Sequence, residues 1–295
     1  MGLWFAMNIA IIIVITITFS ILESVLGIQI STHWGSLVWM LIWASIIGFL
    51  GSLFSLMISK WLAKRAYNIQ IIDIDKVHSL SDKERIVYNT VSELSERYNI
   101  KMPEVWIFIT SEANAFATGS SKNNSLVAVS SWLLEIMNKD AIEWVVAHEM
   151  AHILNWDMVT MTLLQWVLNT FVIFISNILT NLVQNFLDEK MGFFARIATL
   201  IFFEIMLWFL ASMIAMKFSR YREFKADAGS AEYVWKNKMI AWLEALKNVQ
   251  AFASDDSSKL AAMKISTKKH SWFMSLLSSH PDLDDRINAL KELNI

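Results

Sequence analysis

The chain has no cysteine, so disulfides and thiolate metal ligands are excluded, and any zinc site must be built from histidine and carboxylate. That absence also fits a reducing compartment. Only two prolines and eight glycines punctuate 295 residues, a length that alone would allow one or two domains. Charge is scarce too. Asp, Glu, Lys and Arg make up 18% of residues with a formal net charge of −2, and no basic excess argues for a nucleic-acid partner. What remains is apolar, at 55% of residues, and it is distributed too unevenly for a plain globule.

Residues 1–22 and 34–59 contain no charged side chain. At about 1.5 Å of rise per residue, each can cross a hydrocarbon core of about 30 Å. Both are read as membrane spans; the first lacks the basic start and A-x-A-like site of a cleaved signal peptide. Within the second, Ala44, Gly48 and Ser52 recur every four residues, a spacing that lets another helix approach closely. Residues 158–187 are again free of charge, and 197–216 are interrupted only by Glu204. These read as spans three and four, joined by a polar turn at 188–190. Gln165, Asn169, Asn177 and Asn181 keep open a second reading, a helical hairpin buried in the soluble part. Glu204 is expected to face other helices or a polar cavity.

Orientation follows from basic residues. Lys60, Lys64 and Arg65 follow span two and Lys217, Arg220, Arg222 and Lys225 follow span four, while the loop between spans one and two has neither Lys nor Arg. The positive-inside rule therefore places 60–157 and 217–295 together on the cytoplasmic side. The expected organisation is a pair of spans over 1–59, a soluble part over 60–157, a membrane hairpin over 158–216 and a second soluble part over 217–295.

In the first soluble part, Ser81 with Glu84 three residues on predicts a capped helix whose Val87, Val91, Leu94 and Tyr98 form one stripe. Residues rich in β-branched and aromatic types predict strands over 105–110, 114–119 and 125–130, the last two a hairpin turned at 119–124. Asn114, Ala115 and Phe116 mark a candidate edge to which an extended peptide could add itself as a further strand; an ordinary solvated edge is the alternative. The stretch 141–157 holds His148, Glu149 and His152 as H-E-x-x-H. Residues four apart on a helix lie about 40° apart around its axis, so both imidazoles can meet one metal ion, with the glutamate beside them to take a proton from its water. Asp140 with Glu143 is the expected cap of that helix.

Catalytic zinc normally takes three protein ligands. Candidates for the third are His270, His280 and acidic residues on the same side. Glu223 and Asp227, four apart in 218–227, can reach one site, the first on the metal and the second on a ligand histidine, although a solvated charged helix with i,i+4 pairs gives the same pattern.

The segments HEMAH at 148–152, NAFATG at 114–119, SRYREFKADAGSA at 219–231 and HPDLDDRI at 280–287 together resemble the HtpX family of membrane-integrated zinc proteases, over nearly the whole chain. The resemblance implies a mainly α fold with a small β-sheet, an integral membrane zincin-like (gluzincin) metalloprotease with about four transmembrane helices. It implies an endopeptidase of the bacterial inner membrane, active site facing the cytoplasm, acting in quality control on misfolded or damaged membrane proteins under stress. By position, it makes His148, His152 and Glu223 the ligands of one Zn2+ per chain, Glu149 the general base and Asp227 a supporting carboxylate. It matches Asn114, with Ala115 and Phe116, to a substrate-binding edge, and His280 with Arg286 to groups over the reacting carbonyl. The expected partners are polypeptides and the lipid bilayer. Two departures stand out: Asn155-Trp156-Asp157 where the family usually reads N-G-D, and His280-Pro281-Asp282-Leu283 in place of H-P-P-L. A CAAX-type prenyl protease and a non-catalytic membrane protein with a structural metal are the rival readings.

Overall fold

The computed structural model describes residues 37–66, 69–71, 80–110, 113–187, 192–234, 236–237, 239–240, 243–244 and 280–293. The first expected span, the turn at 188–190 and His270 lie outside them. The described elements run in the order α1 (Leu37–Ala66), β1 (Ile69–Ile71), α2 (Asp82–Arg97), β2 (Glu104–Phe108), β3 (Ala115–Ser121), β4 (Asn124–Ser130), α3 (Ser131–Ile136), α4 (Lys139–Leu154), α5 (Asp157–Phe186), α6 (Phe193–Val234) and α7 (Leu283–Glu292). The chain divides into two compact units, one of Met1–Ser55 with Thr160–Lys217 and one of Leu56–Val159 with Phe218–Ile295.

The second unit is built on a four-stranded mixed sheet of order β1-β2-β4-β3. β2 runs parallel to β4, with Val105 opposite Val127 and Ile107 opposite Val129, and β3 and β4 form the expected antiparallel hairpin. β1 was not foreseen; three residues are too short to carry a pattern. The strand period of two divides the side chains between the two faces. Val105, Ile107, Val127 and Val129 join Val87, Val91 and Leu94 of α2 and Ile142, Val146, Met150 and Ile153 of α4 in one core. Trp106, Phe108, Leu126 and Ala128 pack on the other face with Phe116. There Lys64 sits 4.4 Å above the Trp106 ring, and Lys60 and Lys64 pair with Glu104 at 2.7 and 2.9 Å.

Local signals decide where these helices begin. Ser81 and Glu84 form the full reciprocal capping box on α2, worth about 1 kcal/mol. On α4 the expected cap is corrected. Asn138, not Asp140, accepts the Ala141 N–H at 2.9 Å, so the helix starts earlier and Asp140 lies within its first turn. There its negative charge still meets the favourable end of the helix dipole. β3 carries a bulge between Gly119 and Ser121. Gly119 has φ of +150°, and a Cβ there would stand 2.3 Å from the Asn124 carbonyl oxygen, so only glycine fits.

The first unit is helical. Among the described residues, three helices are long and apolar enough to cross a membrane, Met40–Ala66, Asp157–Phe186 and Phe193–Tyr233, matching the expected second, third and fourth spans. Their apolar side chains face largely outward, with Phe186 87% and Phe194 84% exposed, a burden in water but not in lipid. α1 and α5 pack through the small-residue row. Ala44 meets Ile173, Gly48 meets Thr170 and Ser52 meets Asn169, one number falling as the other rises. The buried polar groups that this packing admits bond each other: Gln165 donates to Asn169 at 2.7 Å and the Trp166 indole to the Ser45 carbonyl at 3.0 Å. Glu204 is buried, as expected.

A Cβ at Gly48 would lie 2.9 Å from Thr170 Oγ1, 3.1 Å from the Thr170 nitrogen and 3.2 Å from the Trp166 oxygen, two of them backbone atoms that cannot swing away. Gly48→Leu should therefore destabilise the protein by about 1–3 kcal/mol, seen as a lower unfolding midpoint in detergent. An unchanged midpoint would show that this contact does not hold the helices together.

Candidate metal centre

α4 supplies the two histidines, and its one-turn spacing stacks their rings, with centroids 4.8 Å apart and nearly perpendicular. α6 brings Glu223 against them, and Gly229 of α6 comes close enough to α4 that a Cβ there would stand 3.3 Å from the Ala151 Cβ. His148 Nε2 stands 3.6 Å from Glu223 Oε2, and His152 Nε2 stands 3.5 Å from Glu223 Oε1. The donor atoms of His148, His152 and Glu223 all lie within 4.8 Å of one another.

These separations suit a shared ion. Zinc with bonds of about 2.0–2.2 Å in tetrahedral array sets its ligand atoms about 3.3–3.6 Å apart. The nitrogen-to-carboxylate distances already fall there. Two neutral imidazoles and one carboxylate are also the donor chemistry that zinc accepts, so the residues present fit the metal that the motif implies.

Each imidazole is held from behind. His152 Nδ1 and Asp157 Oδ2 are hydrogen-bonded at 2.6 Å. His148 Nδ1 lies 3.0 Å from Asp227 Oδ1, an ion-pair distance without the alignment of a hydrogen bond. The Asp227 carboxylate is itself fixed, since Arg286 donates to both of its oxygens at 2.7 and 2.6 Å, while at Asp157 it is the backbone carbonyl that Arg222 holds, at 2.9 Å. With Nδ1 engaged on each ring, Nε2 is left to face Glu223.

Electrostatics follow from burial. Desolvation alone would push both histidines down, but the carboxylates outweigh it. His152 is raised to about 10 by Asp157 and Glu223, and His148 is raised by Asp227 and Glu223. Raised basicity at these rings means that metal and protons compete for the same nitrogens. Arg286 is raised because its bond to Asp227 overcomes its own burial. Its guanidinium also lies 6.0 Å from the Trp144 ring centroid.

The remaining expected residues fall as follows. Glu149, one residue past His148 on α4, is part-exposed. His280 Nδ1 is hydrogen-bonded to Glu223 Oε2 at 2.8 Å, with a side chain 59% exposed, so it stands on the open side of the site. Arg286 is buried and engages Asp227 rather than an open cavity. Ala115 and Phe116 lie in β3, which closes the sheet and pairs only with β4 among the described residues. Asn114 just precedes that strand, exchanging hydrogen bonds with Ser130. Asp157 received no role in the sequence reading. Its only signal was an acid five residues after His152, and the corner that folds it back is tertiary.

The chain matches the model of peptidase family M48 over residues 81–294. It is 46% identical to the protease HtpX of Pasteurella multocida over 99% of this chain and 97% of that one. Identity is 43% with the protease HtpX homolog of Bacillus subtilis, over 96% of each chain. Among solved structures, the Ste24p of S. mikatae shares the fold, with a TM-score of 0.58 and 15% identity, over 94% of this chain and 66% of that one. A membrane-embedded chain with a His-His-Glu cluster, an adjoining glutamate and relatives of this extent belongs to peptidase family M48, among the HtpX membrane metalloproteases.

Proposed function

We propose that this membrane protease is a zinc endopeptidase of the bacterial inner membrane. It faces the cytoplasm and cuts misfolded or damaged membrane proteins as part of a stress response. The observation that carries the reading is the convergence of two imidazole Nε2 atoms on the two oxygens of Glu223, at separations a single zinc ion would bridge. The excess of Lys and Arg after the second and fourth apolar stretches supports the orientation.

His148, His152 and Glu223 would hold one Zn2+ per chain, and the metal would supply polarisation of the scissile carbonyl and a water of lowered pKa. Glu149 takes the water proton and hands it to the leaving amine. The outer edge of the half-buried β3, from Ala115 and Phe116 onward, offers backbone groups to an extended substrate, so the peptide aligns by strand addition with Asn114 at its approach. His280, on the open side, is placed to donate to the oxygen that gains charge as the bond is attacked. Arg286 works one step back: by gripping Asp227 it keeps the His148 ring turned toward the metal.

These roles separate by experiment. Glu149→Gln should keep one zinc per chain and lower cleavage of an unfolded membrane substrate by about 100- to 10,000-fold. If that variant still cleaved at the native rate, the base would lie elsewhere. Glu223→Ala should purify with little zinc, and full zinc occupancy would move the third ligand to another residue. Asp157→Asn and Asp227→Asn should retain the ligands but weaken zinc affinity by about 10- to 100-fold in chelator competition. Native affinity in either variant would remove that carboxylate from the support of its histidine.

A further inference from the structure

Trp156 occupies a conformation unsuited to it. Its φ is +59°, the left-handed region that a side chain with a Cβ disfavours, yet it carries the largest side chain of all. Strain of this kind persists where the side chain has work to do. That work is not in the core, because the ring is 47% exposed. Instead Lys122, on the β3–β4 turn, sits 5.1 Å above it.

The same chemistry occurs twice more in this unit. Trp61, 59% exposed, has Arg65 at 5.9 Å, and Tyr221, 55% exposed, has Lys225 at 5.2 Å. Each pair lies where the chain enters or leaves an apolar helix: near the end of α1, directly before α5, and in α6 just past Lys217. Their neighbours are bonded to one another. Lys60, next to Trp61, donates to Asn124 of the hairpin that carries Lys122. Arg222, next to Tyr221, donates to the carbonyl of Asp157, next to Trp156. The three pairs thus belong to a contiguous collar and are not scattered surface residues.

An exposed aromatic ring with a cation beside it suits one environment well. The ring settles among the glycerol and upper acyl groups at a bilayer surface, and the ammonium or guanidinium meets the phosphates. We propose that the Trp61–Arg65, Trp156–Lys122 and Tyr221–Lys225 collar binds the headgroups of anionic phospholipids, and that seating Trp156 there steadies the Asn155–Asp157 corner that orients His152. This rests on the membrane reading of the apolar helices and not on proteolysis or on zinc, so it can fail while the protease assignment stands.

Because the chain has no cysteine, one can be placed without background. Asn155→Cys, carrying a nitroxide label, is compared in nanodiscs with Lys139→Cys at the other end of α4, about 24 Å away by helical rise. The label at 155 should show the oxygen and nickel-chelate accessibility of the headgroup layer, and water-like accessibility equal to that at 139 overturns the contact. In a second measurement, native protein is extracted from membranes of equal phosphatidylglycerol and phosphatidylcholine, and its retained lipid is counted. Retention should favour phosphatidylglycerol several-fold, at about fivefold per interfacial cation, and the Arg65→Glu/Lys122→Glu/Lys225→Glu variant should return to parity. Equal retention by the native protein overturns the anionic preference. If the triple variant does not fold, the label at 155 still decides whether the collar meets lipid.

Discussion

The second unit of this protein depends on one arrangement, two histidines four residues apart with their Nε2 edges turned to a buried carboxylate. Removing Glu223 from water is costly, and so is burying His148 beside it. The cluster persists because opposite charges and hydrogen-bond partners meet at every point: Glu223 faces both imidazoles and His280, Asp227 faces His148 and Arg286, and Asp157 faces His152. Deleting any one member strands a buried charge, so the network is self-selecting in geometry before any metal arrives. Two imidazoles and a carboxylate whose donor atoms lie within 4.8 Å of one another are a donor set suited to a divalent cation.

That network also dictates the fold around it. α4 must be rigid, and it is packed against α2 and the inner face of the sheet by Ile142, Val146, Met150 and Ile153, which leaves the histidine face turned away from the core toward α6. α6 must bring Glu223 and Asp227 in on one face, and their four-residue spacing does so. α7, which starts only after Pro281, contributes Arg286 from its first turns to close the back of the cluster. Three segments distant in sequence each supply a part that is useless alone.

How much of this could be read from the chain depended on how local each signal was. The H-E-x-x-H pattern, the Ser81 capping box and the β3–β4 hairpin are written within a few residues, and each appears where the pattern put it. Among the described residues, the apolar runs from 34 onward likewise became the long helices. What escaped was non-local. β1 is defined only by its pairing with β2, and the parallel register of β2 with β4 skips over β3 in sequence. Asp140 lost the cap to Asn138 because a cap needs an extended residue just outside the helix, and the helix begins two residues earlier than periodicity suggested. Arg286 has as its partner a carboxylate 59 residues earlier, and no spacing rule reports such a contact.

The corner after α4 shows why the least readable residue matters. Had the helix continued, Asp157 would sit about 140° around the axis from His152 and about 7.5 Å further along, out of reach of its ring. The break at Trp156 ends one helix and begins the next, and the restart places Asp157 in the first turn of α5, where the helix dipole favours a carboxylate. From there it reaches back to Nδ1 at 2.6 Å. A left-handed residue between two helices costs on the order of 1 kcal/mol, and a supporting carboxylate for a metal histidine is worth about 10- to 100-fold in affinity, or about 1.4–2.8 kcal/mol. The balance favours the corner. The metal helix and the apolar helix are therefore separate elements because one ligand needs a carboxylate behind it.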